Sequence, residues 1–121
     1  MKTKALVNQA SVNKALVIQD SQNPSFDVSA FLDARNLQAE YCSSASSALS
    51  AIKSTHFQCV MVSMAMLHED PLEIISALRS TEDKLKLPAN QILILSDARQ
   101  PSHADIVKLH ISGQIRSHQL K

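Results

Sequence analysis

The sequence predicts an α/β domain: a parallel sheet with helices on both faces. Three short apolar runs of strand length lie in KALVIQD (14–20), FQCVMVSMAM (57–66) and QILILSD (91–97). Their cores lack polar alternation, as expected of strands buried on both faces. Between them stand segments whose apolar residues recur at helical spacing. Strand and helix therefore alternate, and crossovers of this length make successive strands parallel.

The elements follow in order. KALVIQD is the first strand, ending in polar residues. SQNPSFDVSAFLDARN is a helix, with Asn23 as N-cap and Pro24 at the first helical position. Val28, Phe31 and Leu32 lie at i, i+3, i+4 on one face. Leu37, Ala39 and Tyr41 alternate with Gln38 and Glu40, the pattern of a half-exposed strand. Residues 44–55 carry Ala48, Leu49 and Ile52 on one helical stripe, and the strand ending at Ser63 comes next. Asp70-Pro71-Leu72-Glu73 is a helix start, with an acidic N-cap, proline at N1 and glutamate at N3. Leu72, Ile75 and Leu78 form its buried stripe, and EDKLKLPAN is expected to be a polar, solvated connection stopped by Pro88. QILILSD is a central strand. Pro101 and Ser102 open a last helix with Ile106 and Leu109 inward and Gly113 as its stop. The tail QIRSHQLK, with Ile115 and Leu120, is a weak fifth strand. Residues 1–12 are an extension or an extra edge strand, ahead of one domain over 13–121.

Composition excludes several classes of function. A formal charge of +1, from 12 basic and 11 acidic residues, provides no field for nucleic acid or anionic lipid. Aromatic residues make up 3%, too few for the stacking platforms of single-strand binders. No apolar run approaches the ~20 residues that cross a bilayer. MKTKALVNQ has no apolar core of signal-peptide length, so a cytoplasmic location is expected. Cys42 and Cys59 form no CxxC and indicate neither a disulfide framework nor a zinc site. The single glycine, Gly113, rules out the glycine-rich loops that cradle phosphates, and no cofactor is indicated.

Strand ends are where a parallel α/β sheet collects ligands and chemistry. Ser63 ends the third strand. A serine hydroxyl needs a base to become nucleophilic; His68 is nearby in sequence, but no orienting third group or oxyanion hole accompanies it. Ser63 is therefore expected to bond nearby backbone. His56 and Cys59, three apart on a strand, face opposite ways. His103 and His110 share a helix face but lie ~10 Å apart along it, too far to chelate one ion.

The chain resembles the receiver domains of bacterial response regulators, the CheY-like family. The likeness runs without gaps from Lys14 to Arg79 and more loosely beyond. KALVIQDS resembles the family's first strand, and NLQAEYCSSASSAL its second strand and second helix. FQCVMVSMAMLHEDPLEIISALR follows its pattern from third strand to third helix, and QILILSD resembles its fourth strand. The resemblance implies a flavodoxin-like, doubly wound parallel sheet of strand order 2-1-3-4-5, with the fifth strand weak and the fifth helix missing. It places Ser63 at the phosphoacceptor aspartate, Gln19 and Asp20 at the acidic pair that helps hold magnesium, and Ser96 at the switch hydroxyl. The lysine that ends the family's fifth strand has no clean counterpart: Leu120 takes its place and Lys121 falls one residue late.

Those departures bear on chemistry. An acyl phosphate forms by carboxylate attack on phosphorus while a hard cation and a lysine offset the developing charge. Magnesium is held by one or two carboxylates with waters and phosphate. Gln19, Asp20 and Ser63 together offer one carboxylate where the family offers three. The expectation is a non-phosphorylatable pseudo-receiver in bacterial two-component-type signalling, not an enzyme. It would have no metal site and would act through a protein partner or a fused output domain, chiefly by its fourth helix and adjacent strands. Without a fifth helix, the face beside Phe31 should be bare, which favours a homodimer or recruitment of residues 1–12 as a cover. The alternative is a small flavodoxin-like enzyme or ligand-binding domain using the strand-end crevice near Asp20, Ser63 and Ser96.

Overall fold

The structure is a computed structural model that describes residues 13–20, 27–66, 69–96 and 101–116. Its strands are β1 (Asn13–Ile18), β2 (Leu37–Cys42), β3 (Cys59–Ser63), β4 (Ile92–Leu95) and β5 (Gly113–Ile115). All four pairings are parallel, in one sheet of order β2-β1-β3-β4-β5. The described helices are α1 (Ser29–Asp33), α2 (Ala45–Ser54), α3 (Pro71–Leu85) and α4 (His103–Lys108). The sheet and its strand order are those expected from the sequence.

Alternation along the strands divides the core in two. On one face, Leu16, Ile18, Val60, Val62, Ile92 and Ile94 meet Ala48 and Ile52 of α2 and Ile74, Ile75 and Leu78 of α3. Leu109 and Ile111 close the same core behind α4. On the other face, Ala15, Val17, Cys59, Met61, Leu95 and Ile115 meet Val28 and Leu32, with Phe31 partly buried beside them. Burying one Leu or Ile side chain contributes ~1.5–3 kcal/mol, so the three-helix face carries most of the apolar stabilisation. Among the described residues, α1 is the only helix on the second face.

Several local expectations are corrected. The run EDKL is not a connection: α3 continues through it to Leu85. Glu82 lies on the buried side of that helix, which makes the turn part of the core boundary. The buried stripe also includes Ile74, whereas Leu72 is only partly buried. Gly113 does not stop the last helix. It begins β5, and the left-handed residue behind α4 is His110, with φ 54°. Tyr41, near the end of an edge strand, is exposed; Cys42 packs instead against the three-helix core. Helix α1 begins at Ser29, where the Asp27 carboxylate accepts the Ser29 amide at 3.0 Å. The proposed cap Asn23 and Pro24, residues 1–12, Leu120 and Lys121 lie outside the described residues.

Other caps follow the sequence. Asp70 Oδ1 accepts the Leu72 amide at 3.0 Å, with Pro71 at N1. Ser44 caps α2 by accepting the Ser47 amide at 3.1 Å, and Glu69 Oε1 accepts the Ala45 amide at 2.9 Å. Ser102 and Asp105 form a reciprocal capping box on α4. Each satisfies an amide that the first helical turn leaves without a partner.

Candidate functional site

The C-terminal ends of β1, β3 and β4 bring the sequence-predicted residues to one edge of the sheet. Register sets their levels. Ile18 pairs with Val62, and Ser63 pairs with Leu95. Gln19 therefore continues β1 beside Ser63, while Asp20 and Ser96 stand one residue further along their chains. The Gln19 amide donates to the Cys42 carbonyl at 3.1 Å, and the Met64 amide to the Leu95 carbonyl at 2.9 Å. Pairing thus persists past the formal strand ends. All four residues are buried: Gln19 and Asp20 are 8% exposed, Ser63 1% and Ser96 2%.

Among the described residues, Asp20 is the one carboxylate of the four. Ser63 Oγ accepts the Ala65 amide at 3.1 Å, a bond within the turn that leaves β3. Ser96 Oγ accepts from Gln114 Nε2 at 3.0 Å, which ties the end of β4 to β5. The Ser96 amide also donates to the Ile115 carbonyl at 3.0 Å. His68 and the chain after Arg116, where a fifth-strand lysine would be sought, lie outside the described residues.

At the positions to which the resemblance assigns magnesium, the donor set is smaller than the family's. Gln19, Asp20 and Ser63 bring a single carboxylate, and the Ser63 hydroxyl already accepts a backbone amide. Among the described residues, no group of three or more His, Cys, Asp and Glu side chains converges as a metal site. The histidine pair is also rearranged, because α4 ends at Lys108 and leaves His110 in the left-handed turn behind it. Grooves of about 640, 400 and 180 Å³ are lined by residues other than Asp20, Ser63 and Ser96.

A connected polar cluster lies elsewhere, between α3, α4 and β4. Arg79 Nε donates to the Leu109 carbonyl at 2.9 Å, and Nη2 to the His110 carbonyl at 2.8 Å. Nη1 donates to the Asn90 carbonyl at 2.8 Å and to Glu82 Oε1 at 2.9 Å. Glu82 Oε2 accepts the Asn90 amide at 2.8 Å and Asn90 Nδ2 at 2.7 Å. The cluster anchors the C-terminal end of α4 and the entry to β4, and so positions the α4–β5 surface. That surface carries the exposed Val107. A sequence signal for it existed: Glu82 follows Ile75 and Leu78 at i+7 and i+4, a carboxylate on an apolar stripe, with Arg79 three residues before it.

Both thiols are held in the neutral form. Burial pushes Cys42 up to about 11, helped by the nearby Glu40 and Glu69 carboxylates. Burial likewise pushes Cys59 up, against a smaller opposite pull from Arg35. Neither is an activated nucleophile.

No protein-family model matches the chain. No curated protein matches it either. Solved structures do. Chemotaxis protein CheY4 of Vibrio cholerae is 17% identical at a TM-score of 0.67, over 88% of this chain and 87% of that one. A CheY-like response regulator receiver domain from Methylobacillus flagellatus is 19% identical at 0.65, over 88% and 86%. Response regulator TrrA of Thermotoga maritima, in complex with magnesium and beryllium fluoride, is 16% identical at 0.65, over 87% and 86%. None of the described helices is long and apolar enough to cross a membrane. The sheet order, the alternating helices and these likenesses together give this chain the flavodoxin-like fold of CheY-like receiver domains.

Proposed function

We propose that the chain is a pseudo-receiver, a receiver-type signalling module that works by contact and does not take up phosphate. The observation that carries this reading is Ser63. It stands at the end of β3, where the resemblance puts the phosphoacceptor aspartate, and its hydroxyl is bonded to the Ala65 amide. A hydroxyl so engaged, beside one carboxylate, has neither the nucleophile nor the cation that acyl phosphate formation requires. Ser96, at the switch position, is bonded to Gln114 within the sheet edge. Such a module has no catalytic residue and is not an enzyme.

Contact then falls to surfaces. The α4–β5 side is the foremost candidate, because β5 is an edge strand, Val107 is 59% exposed, and the Arg79 cluster holds α4 in place. The partner is a protein or an output domain in the same polypeptide, in a two-component-type pathway of the bacterial cytoplasm. A second copy is a further partner, a homodimer seated on the open α1 face whenever nothing else covers it.

Incubation with acetyl phosphate and magnesium, followed by intact-mass measurement, tests the proposal. The mass should not change. A stoichiometric phosphoryl adduct at Ser63, Asp20 or Ser96 would overturn it.

A further inference from the structure

Helix α4 is weakly built. It has six residues and none of them is buried. Isolated helices shorter than ~12–15 residues are marginal in water, so this one depends on what ties it to the rest of the fold. Its main chain supplies no such tie. The Ile106 amide donates to the Ser102 carbonyl at 3.1 Å, Leu109 to Asp105 at 2.9 Å and Ile111 to Ile106 at 3.0 Å, all within one segment. The capping box of Ser102 and Asp105 is equally local. Among the described residues, the chain first bonds another element at Ser112, whose amide donates to the Ile92 carbonyl at 2.7 Å just before β5.

Two kinds of contact hold the segment. Leu109 and Ile111, behind the helix, are buried in the three-helix core, and Ile106 packs partly against it. Apolar burial is non-directional, so these side chains favour a docked segment without fixing one arrangement. The directional contact is Arg79 of α3. Its Nε and Nη2 donate to the Leu109 and His110 carbonyls, the kind of acceptor that a helix end leaves without an internal partner. The guanidinium is thus a C-terminal cap supplied by another helix. Nη1 is itself held, by Glu82 Oε1 and the Asn90 carbonyl, so the planar fork of donors is fixed before it meets α4.

We propose that residues 102–111 are a separate opening unit and that Arg79 is the latch that holds it closed. With the latch made, α4 presents the exposed Val107 in one arrangement. With the latch broken, the segment opens while β1, β3, α2 and α3 stay folded. Parts of a fold open at different free energies, and segments with few buried apolar residues open first. Arg79 is a positioning residue in this role. The inference does not rest on the pseudo-receiver reading, because neither Ser63 nor Asp20 takes part in it; a phosphoryl adduct at either would leave it standing.

Residue-resolved amide hydrogen exchange on the full chain tests the latch. Arg79→Met should raise exchange at Ile106, Leu109 and Ile111 about tenfold or more, as expected when a local unit opens more often. Val17→Ala weakens the core on the opposite face of the sheet. It should raise exchange at the Val60 and Met64 amides, which bond across the sheet to Gln91 and Leu95, and leave the three α4 rates unchanged. Arg79→Lys keeps a charge beside Glu82 but lacks the fork that reaches three carbonyls. It should raise the same three rates, and it decides the matter where Arg79→Met does not fold. Equal protection of the α4 and strand amides in the unaltered chain would show that α4 opens only with the whole domain, and would overturn the proposal. So would α4 rates that follow Val17→Ala, or that Arg79→Lys leaves unchanged.

Discussion

Arg79 makes four hydrogen bonds, and three of its acceptors are main-chain carbonyls behind α4 and before β4. Glu82, 4% exposed, returns two bonds to Asn90. Removing one member of such a buried pair leaves the other charge uncompensated, which costs ~3–5 kcal/mol. Arg79→Met should lower unfolding free energy by about that amount in urea titration. Arg79→Met with Glu82→Met should lose less than the single variant, since no stranded charge remains. A double variant less stable than the single would show that the carbonyl contacts dominate. Cys42 makes a prediction of the opposite kind, in pH. Its folded value, about 11, lies above the ordinary 9.0, so the fold favours the neutral thiol. This contribution is complete below pH 9.0 and is lost as the pH rises through about 11. Alkylation of a Cys59→Ser chain should titrate with a midpoint near 11 when folded and near 9.0 in urea. A folded midpoint near 9.0 would contradict the burial.

At the scale of elements, helix ends carry more information than helix middles. Asn36, Lys86 and His110 have φ between 54° and 57°, and each lies just behind a helix. Behind α3, the Leu87 amide donates to the Glu82 carbonyl at 2.8 Å and the Lys86 amide to the Asp83 carbonyl at 3.3 Å. This is a Schellman ending with Lys86 in the position that favours glycine. The Ile111 and His110 amides repeat the pattern behind α4, donating to the Ile106 and Val107 carbonyls at 3.0 and 3.3 Å. A side chain in the left-handed region costs ~1–2 kcal/mol, part of which glycine returns to greater freedom of the unfolded chain. Lys86→Gly should therefore stabilise the domain by ~0.5–1 kcal/mol, read as a higher denaturation midpoint. A loss of stability would mean that the lysine stem contributes packing of its own. The same local chemistry explains why Gly113 is a misleading stop signal: a non-glycine residue already occupies the turn behind α4, and Gly113 is in the strand. There its missing side chain accommodates the Leu93 methyl, which a Cβ would meet at 3.2 Å.

At the scale of the molecule, a magnesium site at the strand-end corner would stabilise the whole fold by linkage, ~2.7 kcal/mol at a hundred times the dissociation constant. With Asp20 the one carboxylate among Gln19, Asp20, Ser63 and Ser96, millimolar magnesium should leave the Tm unchanged in a thermal scan. A saturable rise that disappears in Asp20→Ala would show that the corner binds the cation. The resemblance named that corner, and parallel register brings Gln19, Asp20, Ser63 and Ser96 to one end of the sheet. The bond of Ser63 to nearby backbone was expected, and the Ala65 amide donates it; the burial of the four residues and the bond from Gln114 to Ser96 were not legible.

The sequence by itself determined the architecture: apolar runs separated by amphipathic segments permit little besides a parallel sheet wrapped by helices, since each crossover must return the chain to the same edge. Capping residues such as Asp70 and Ser102 likewise declare themselves, because they act within a few residues of where they stand. What only the tertiary structure decided is everything that depends on partners distant in the chain. Glu82 belongs to a helix and not to a loop because Arg79 and the Asn90 main chain compensate its burial, whereas locally EDKLK is simply polar. Tyr41 is exposed although it alternates with Gln38 and Glu40, because its strand is at the edge of the sheet. The division of the core is another such decision: among the described residues three helices pack on one face of the sheet and α1 on the other, which local pattern does not assign.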